Sequence, residues 1–372
     1  MAQTVSQGVC SLQHSCSVTG VVFMQHSAKF GTSRALQEDL IPLILAKNFV
    51  SGDRMIRCPR AKELLQCQLS DNLDHITAAQ AVIWNARLST ATEISSIAKQ
   101  SGQFWIFNFD FEPPLWSGWN LAEDATKALN GRADLTMTYK SDSDIWWPYQ
   151  QFVPSDANMN QGASPVKKPK YLLLALISDC VPEERLRLLK ELQSLLPGQV
   201  HVYGKCGVPS PCHGRDETDQ CHQNLFADFF FFAAFENHRC SGYITEKFFR
   251  GFEQGMVPLA LGGMGRRDYE QLAPASSFIH VDDFSSTAAL ARKLTAVSQD
   301  ASAYGRYFMW KSKYVLVSRF DSLERGFCDI CAEMHNPRAS GLLNEKRVGR
   351  NITEWWYKGT CSLDGGPRYV KR

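Results

Sequence analysis

The sequence predicts an α/β fold built from two units, and three observations lead to that prediction. The chain has 372 residues, and at roughly 150 residues per domain this length favours two domains. From residue 171 onward, apolar runs of strand length alternate with amphipathic stretches of helix length, the pattern of a doubly wound parallel sheet. Hydrophobic residues make up 44% and charged residues 21% of the chain, so disordered, fibrous and coiled-coil classes fit poorly.

The second half of the chain supplies the clearest elements. Residues 171–177 form an apolar run that predicts a strand. Pro182 then opens a helical stretch, which Pro197-Gly198 ends. One face of this helix carries leucines at helical spacing: Leu186, Leu189, Leu192 and Leu196. Further strands are predicted at 201–203, 229–235, 257–261 and 278–281, and further helices at 244–253 and 286–297.

The first half is less regular than the second. Residues 81–84, 104–109 and 135–139 predict strands of another α/β unit, whose topology the sequence leaves open. Between the halves, residues 161–170 contain one Gly, two Pro and three Lys, which is typical of a solvated linker. The predicted organisation is a domain at 1–160, a linker at 161–170, a domain at 171–335 and a tail at 336–372.

Charge and hydropathy restrict the partners of the chain. Lys and Arg number 40 against 38 Asp and Glu, and the net charge of +2 is too small to favour nucleic acid as a main partner. The longest apolar runs, 40–46 and 171–177, are far shorter than the roughly 20 residues needed to cross a bilayer. Residues 1–30 also lack a signal-peptide pattern. We expect membrane contact only through an anchor absent from this sequence.

Twelve cysteines indicate an oxidising compartment. They include three local clusters typical of disulfide loops: Cys58 with Cys67, Cys206 with Cys212 and Cys221, and Cys328 with Cys331. The sequon Asn351-Ile352-Thr353 is compatible with the same compartment. For the third cluster the alternative is a zinc site completed by His335, but we favour disulfides because a second Cys-x-x-Cys pair is absent.

The most informative stretch is 235–247, FENHRCSGYITEK, which runs from a predicted strand through a polar loop into a predicted helix. In a doubly wound sheet, ligands bind beyond the carboxyl ends of strands, where a helix N-terminus offers free N–H groups and partial positive charge. Asn237 and Tyr243 offer neutral donors, Glu246 an acceptor and Lys247 a point charge, a set suited to a ribose and a diphosphate. The alternative is a surface loop before a helix whose charges are merely solvated.

This segment resembles the donor-binding motif of the α1,3-fucosyltransferase family, glycosyltransferase family 10. The resemblance continues through 268–270, 278–282 and 307–311 and the pair Cys328 and Cys331. Cys240 in the loop is found in some invertebrate and core-modifying relatives, where a disulfide partner is the expected role. The resemblance implies a GT-B type fold, in which two Rossmann-like domains face each other across a cleft and bind acceptor mainly through residues 1–160 and donor through 170–335.

The resemblance also implies roles for single residues. Arg185 takes the position of a basic residue that meets the diphosphate; without the family it would be interpreted as an exposed helix charge. In WIFNFDFEPP, residues 105–114, Glu112 takes the position of the proposed catalytic base, and the alternative is a carboxylate that ends a strand. Three residues depart from the family pattern: Pro113, Phe230 and His238.

A further family motif matches residues 135–149, LTMTYKSDSDIWWPY. Read without the family, Asp142 and Asp144 form an Asp-x-Asp pair of the kind that holds a divalent ion on a nucleotide diphosphate. The family does not use the pair in this way, and Arg185 and Lys247 would supply positive charge instead. We therefore expect the pair to be structural and no metal or other cofactor to be required.

The activity implied by the resemblance is an inverting transfer of L-fucose from GDP-β-L-fucose to the 3-hydroxyl of an N-acetylglucosamine in a glycoprotein glycan, in the Golgi lumen. Glu112 would take the acceptor proton. The donor would be bound by Arg185, Asn237, Tyr243, Glu246 and Lys247. The alternative is a catalytically inactive, lectin-like or nucleotide-binding relative. Whether the acceptor is the core of an N-glycan or a lactosamine stays open, although the cysteine pattern favours the core-modifying relatives.

Overall fold

The computed structural model describes residues 41–47, 49–60, 63–110, 112–114, 120–155, 169–212, 219–263, 265–335 and 351–362. Residues 161–168 of the predicted linker lie outside the described residues, as do residues 1–40 and the parts 336–350 and 363–372 of the predicted tail. The division into domains at this linker stays a prediction.

The elements follow one another along the chain in this order. The strands are β1 (Leu43–Leu45), β2 (Arg54–Arg60), β3 (Glu63–Ser70), β4 (Ala81–Asn85), β5 (Phe104–Asn108), β6 (Leu135–Thr138), β7 (Ile145–Trp146), β8 (Phe152–Pro154), β9 (Tyr171–Leu176), β10 (Val200–Tyr203), β11 (Phe229–Phe235), β12 (Val257–Leu261), β13 (Ile279–His280) and β14 (Tyr314–Leu316). The helices are α1 (Ala91–Ser96), α2 (Asn120–Leu129), α3 (Glu183–Leu195), α4 (Gln220–Ala227), α5 (Glu246–Glu253), α6 (Arg266–Glu270), α7 (Thr287–Gln299), α8 (Ala301–Arg306), α9 (Arg319–His335) and α10 (Ile352–Tyr357). Short 3-10 helices lie at Leu73–His75, Val281–Asp283 and Met309–Ser312.

The first sheet has the strand order β2-β3-β1-β4-β5-β6-β7. Neighbouring strands are parallel except β2 and β3, which form an antiparallel pair. All five residues of β4 are buried, as expected for a parallel strand covered on both faces. The predictions of strands at β4, β5 and β6 are confirmed, and strands β1 to β3 were not predicted.

The second sheet is parallel throughout and has the order β10-β9-β11-β12-β13. Its five strands coincide with the five predicted apolar runs, and α3, α5 and α7 with the predicted helices. Helix α5 lies close on β12 because Gly251 faces Pro258; a β-carbon there would lie 2.7 Å from the Pro258 Cγ. The predicted α/β class with a doubly wound parallel sheet is confirmed.

Helix α9, with 17 residues, returns to the first sheet and packs on β2, β3 and β7. Gly326 permits the close approach, since a β-carbon at this position would lie 2.7 Å from the Trp147 Cδ1. The last strongly helical segment of the predicted second domain therefore completes the core of the first sheet. Neither α9 nor any other helix in the described ranges is long and apolar enough to span a bilayer.

Disulfides join distant parts of the chain. The described residues form five: Cys58–Cys328, Cys67–Cys331, Cys180–Cys206, Cys212–Cys221 and Cys240–Cys361. The cysteines of the first and third predicted clusters pair with each other rather than within each cluster, which fixes α9 to β2 and β3. Their sulfurs are thereby unavailable as zinc ligands, and His335 instead contacts the Gln66 carbonyl through Nε2 at 2.9 Å.

Candidate active site

The candidate site residues lie in the loops and first helical turns that follow the carboxyl ends of strands. Glu112 follows β5, and Tyr139 comes directly after β6. In the second sheet, Glu236 and Asn237 follow β11, and Arg185 lies in the first turn of α3, the helix after β9. Carboxyl ends of parallel strands meet at one edge of each sheet. Here the two edges face each other: the ring of Tyr139, after β6, lies 5.6 Å from the ring of Tyr243, in the loop after β11.

Arg185 is buried, with 3% of its surface exposed. Its guanidinium donates to the Phe235 carbonyl at 3.3 Å and to the Asp179 carbonyl, and it lies 3.6 Å from the Asp179 carboxylate. Burial lowers the pKa of this guanidinium. Among the described residues Nε has no hydrogen-bond partner. Arg185 is thus not the exposed helix charge of the alternative interpretation, but a buried cation whose Nε donor has no partner among the described residues, which suits an anion.

Lys247 stands between two carboxylates at the start of α5. Its ammonium lies 3.2 Å from the Glu236 Oε2 and 3.1 Å from the Glu246 Oε1, and it donates to the Thr245 hydroxyl at 2.8 Å. Burial alone would lower the pKa of Lys247, but the two carboxylates outweigh burial and raise it. The side chain keeps 24% exposure, so a charged ammonium faces the cleft.

Glu236 is a buried carboxylate that the sequence analysis did not assign. It accepts hydrogen bonds from the backbone N–H of Thr245 at 2.8 Å and from the Thr245 hydroxyl. Burial raises its pKa, and the Lys247 ammonium opposes that rise. Glu236 therefore fixes the entry into α5 and holds Lys247 in place. The sequence feature that could have identified Glu236 is its position as a carboxylate directly after a wholly apolar strand, since a buried carboxylate needs a partner.

Glu246 is the first residue of α5, and its side chain is 41% exposed. Burial would raise its pKa, but the Lys247 ammonium and several hydrogen bonds outweigh burial and lower it. Tyr149, from the first half of the chain, hydrogen-bonds to this carboxylate. Glu246 is therefore an ionised acceptor held between the two halves, which suits a ribose hydroxyl. Sequence analysis did not assign Tyr149.

Glu112 is half-buried. Burial raises the pKa of its carboxyl, the Arg87 charge lowers it and the Asp110 charge raises it, and the charges of Lys247 and Glu246 also reach it. The chain reaches Glu112 through Asp110, whose φ of 58° lies in the left-handed region and whose N–H donates to the Asn108 side chain at 2.6 Å. A half-buried carboxyl with a raised pKa has the character of a proton acceptor near neutral pH.

Two buried tyrosines join the halves of the site. The rings of Tyr139 and Tyr243 lie 5.6 Å apart. Burial raises the pKa of both hydroxyls well above the usual value, and the Glu112 charge adds to the rise. Two buried polar atoms here have no hydrogen-bond partner among the described residues: the Oδ1 of Asn237, which is next to Glu236, and the hydroxyl of Tyr139. Contacts and charges thus link Glu112, Arg185, Tyr243, Glu246 and Lys247, and Asn237 lies in the same loop.

Two family models match this chain. The model described as "Glycosyltransferase family 10 (fucosyltransferase) C-term" matches residues 166–355, and "Fucosyltransferase, N-terminal" matches residues 23–150. The chain belongs to glycosyltransferase family 10, the fucosyltransferases. The two mainly parallel sheets, whose strand ends meet at the Tyr139–Tyr243 pair, are the GT-B type arrangement expected for this enzyme.

Individual relatives agree with the family assignment. The chain is 28% identical over 333 residues to the alpha-(1,3)-fucosyltransferase C of Drosophila melanogaster, covering 83% of this chain and 72% of that protein. It is 32% identical over 315 residues to the 4-galactosyl-N-acetylglucosaminide 3-alpha-L-fucosyltransferase FUT6 of Homo sapiens, covering 82% of each. A solved structure described as the crystal structure of alpha1,3-fucosyltransferase aligns with 76% of this chain and 83% of its own at 14% identity, with a TM-score of 0.49.

In this fucosyltransferase, the Asp-x-Asp pair supports structure. The Asp144 Oδ2 accepts from the backbone N–H and the hydroxyl of Thr136 at 2.8 and 2.7 Å, which ties the end of the motif to β6. The Asp142 Oδ2 accepts from the Trp355 indole N–H at 2.7 Å. Both carboxylates are thus engaged within the protein, and that the reaction requires no metal stays a prediction.

Of the three departures from the family pattern, one packs against the core of the second sheet and two lie at the site. The ring centroid of Phe230 lies 5.1 Å from that of Tyr304, and the Phe230 backbone carbonyl accepts a hydrogen bond from the Tyr304 hydroxyl at 2.9 Å. Pro113 is buried directly after Glu112. His238 is half-buried, and its pKa is lowered mainly by burial and also by the charge of Arg185. A neutral imidazole therefore lies beside the buried guanidinium.

Proposed function

We propose that this fucosyltransferase moves L-fucose from GDP-β-L-fucose to the 3-hydroxyl of an N-acetylglucosamine in a glycoprotein glycan, with inversion at the sugar carbon. The observation that carries the proposal is the half-buried carboxylate of Glu112, whose pKa is affected by the charges of Lys247 and Glu246 across the cleft. A proton acceptor on one wall and an anion-binding loop on the other are the two parts that a single displacement needs.

The donor diphosphate would bind at Arg185 and Lys247. Arg185 is supported in this role by its burial and by the Nε that is left without a partner among the described residues. Lys247 would exchange its contact with Glu246 for a phosphate oxygen, while Glu246 turns to the ribose. Asn237 and Tyr243 would donate neutral hydrogen bonds to the same donor. Because both cations belong to the chain itself, we expect no divalent ion to be required for charge neutralisation.

In the proposed step, the acceptor 3-oxygen attacks C1 of fucose from the face opposite the diphosphate. The new C1–O3 bond forms while the bond from C1 to the β-phosphate oxygen breaks, and GDP leaves with that electron pair. The acceptor proton passes to the Glu112 carboxylate. The raised pKa of Glu112 supports this role, because a base works best when its pKa lies close to the working pH. Arg185 and Lys247 would stabilise the charge that grows on GDP.

Two further parts of the proposal concern the surroundings of the reaction. Five disulfides among the described residues support an oxidising compartment, and for this family we propose the Golgi lumen. The human relative is named for a galactosyl-N-acetylglucosaminide acceptor. We propose that the acceptor of this chain is of the same chemical class, either a lactosamine or the core N-acetylglucosamine of an N-glycan.

The test is the release of GDP from GDP-fucose by the purified chain. Reactions contain a core N-glycan acceptor, a lactosamine acceptor or no acceptor, each with and without EDTA. Release that depends on one acceptor and is unaffected by EDTA is the expected result, and it identifies the acceptor class. Binding of GDP without release on either acceptor would favour the inactive, lectin-like relative. Loss of release in EDTA would contradict the metal-free part of the proposal.

A further inference from the structure

The segment 351–362, called the strap below, contacts both walls of the cleft. On one side, α10 packs into the core of the first sheet. Trp356 is fully buried, and its ring centroid lies 5.1 Å from that of Phe109, 5.7 Å from that of Phe107 and 5.4 Å from that of Tyr139. Phe107 belongs to β5, and Tyr139 follows β6. The strap is therefore fixed to the strand ends that carry Glu112 and Tyr139.

On the other side, the strap is joined to the donor loop after β11. Cys361 forms a disulfide with Cys240, and the two residues pair as an antiparallel bridge. On either side of the bridge, the Ser241 N–H donates to the Thr360 carbonyl at 2.7 Å, and the Ser362 N–H donates to the Arg239 carbonyl at 2.9 Å. One covalent bond and two backbone hydrogen bonds thus hold this loop only two residues before Tyr243.

The turn 240–243 also touches the first sheet directly. Gly242 has a φ of +70°, and a β-carbon there would lie 3.2 Å from the Tyr139 carbonyl oxygen and 3.4 Å from the Lys140 Cα. Lys140 is buried, and its ammonium donates to the Trp355 carbonyl at 3.0 Å and lies 4.4 Å from the centre of the Trp355 ring. The turn, the loop after β6 and the strap therefore meet at one junction beside the Tyr139–Tyr243 pair.

We propose that the strap positions the donor loop for transfer, with Cys240, Cys361 and Lys140 as positioning residues that act through Tyr243. The inference rests on the proposed function. Tyr243 and Glu112 belong to different sheets, and the reacting groups between them must be held at contact distance. A displacement of about 1 Å is enough to cost roughly 100-fold in rate. The strap connects the two walls at the point where such a displacement would occur.

The test compares two double variants that each remove one disulfide. C240S/C361S releases the donor loop from the strap. As a matched control, C212S/C221S removes the bond that joins Cys212 to Cys221 in the first turn of α4. For both, kcat, the KM of each substrate and the Kd of GDP are measured well below the Tm of each variant. We expect C240S/C361S to lose about 10- to 100-fold in kcat. GDP binding should weaken by about three- to tenfold, as for one misplaced hydrogen bond. The control should stay within about twofold of wild type in both, because it leaves the strap and its disulfide to the donor loop intact.

A second pair of variants leaves the disulfide intact. Lys140→Met removes the ammonium that holds the Trp355 carbonyl, and Lys140→Arg keeps a cation there. We expect kcat to fall in the first and to recover in the second. If C240S/C361S does not fold, the comparison of Lys140→Met with Lys140→Arg tests the positioning role of the strap instead. Equal kcat in Lys140→Met and Lys140→Arg, or a kcat for C240S/C361S that equals that of the control, would overturn the inference.

The outcomes also separate this inference from the proposed function. If wild type binds GDP but transfers fucose to neither acceptor, the proposed function fails. The strap is then tested by GDP affinity alone, because Tyr243 and Asn237 lie on the loop that the strap holds. Weaker GDP binding in C240S/C361S than in C212S/C221S would still support the positioning role. Equal GDP affinity in the two variants would exclude it.

Discussion

Exchange of Glu112 for Gln tests the base directly. The change removes a proton acceptor and one negative charge while the volume of the side chain stays the same. The charges of Lys247 and Glu246 reach Glu112 with opposite signs, and its pKa is raised mainly by burial. The amide cannot take the acceptor proton, so the barrier to transfer rises although the donor still binds.

The expected size follows from the role of the group. A positioned general base contributes about 100- to 10,000-fold, which corresponds to roughly 2.7–5.5 kcal/mol in the barrier. We expect kcat to fall by that factor. The Kd of GDP should stay the same or decrease slightly, because the charge that is removed has the same sign as the diphosphate.

The matched control is Asp110→Asn, which removes the same charge two residues away. Asn tolerates the left-handed φ of 58° at this position. Asp110 raises the pKa of Glu112 and pairs with Arg87 at 3.0 Å, so its loss removes a repulsive charge and frees an attractive one. Both effects lower the pKa of Glu112. Glu112 acts in its ionised form, so the rise of kcat with pH should move to lower pH in this variant.

The assay is initial-rate GDP release at saturating donor and acceptor across pH, with GDP affinity from calorimetry. Glu112→Gln that retains more than about a tenth of the wild-type kcat would refute the base assignment. A rise of kcat that moves to higher pH in Asp110→Asn would refute the electrostatic reasoning. Loss of GDP binding in Glu112→Gln would mean that the carboxylate acts on the donor instead.

Three further predictions concern the donor loop and the fold. Lys247→Ala should weaken GDP binding by roughly 10- to 100-fold, as for a charged hydrogen bond, and calorimetry showing unchanged affinity would remove Lys247 from the phosphate site. Arg239 pairs with Glu184 and Asp282 through five hydrogen bonds of 2.8–3.0 Å. Arg239→Lys keeps the positive charge but loses the planar guanidinium that makes these bonds. Denaturant titration should therefore give a loss of about 1–3 kcal/mol in the free energy of unfolding. Gly326→Ala should cost about 1–3 kcal/mol because the new methyl meets Trp147, whereas Gly305→Ala in α8 meets nothing within 4 Å and should be neutral or slightly stabilising. Equal stability of these two glycine variants would show that α9 has room to move.

Buried parallel strands were the part of the fold most accessible from the sequence. β11, Phe229–Phe235, is apolar at every position, and its bounds agree with the prediction. β2 and β3 were missed because they form an antiparallel pair with mostly exposed or half-exposed residues, so polar and charged residues interrupt the apolar pattern. Helix α9, which packs on these two strands, lies more than 260 residues away in sequence, as the separations of 270 and 264 between the bonded cysteines indicate.

The site was accessible only in part for the same physical reason. Glu246 and Lys247 belong to a local loop-to-helix motif, which a sequence reveals. The burial of Arg185 depends on Phe235, which lies 50 residues later, so its neighbours Glu183 and Arg187 suggested an exposed helix face instead. Tyr149 was missed because its contact with Glu246 crosses between the halves. The cluster of aromatic residues in α10 is evident in the sequence, but no local sequence pattern indicates which surface the cluster covers.

The return of α9 and the strap to the first sheet affects how relatives can be recombined. A chimera that exchanges only the segment before the predicted linker would pair β2 and β3 of one protein with the α9 of another, at two disulfides and at the Gly326 contact. Among the described residues, the structural unit to exchange is therefore discontinuous: residues 41–155 together with 319–335 and 351–362. An exchange of the first sheet between family members keeps these contacts only if the pieces move together.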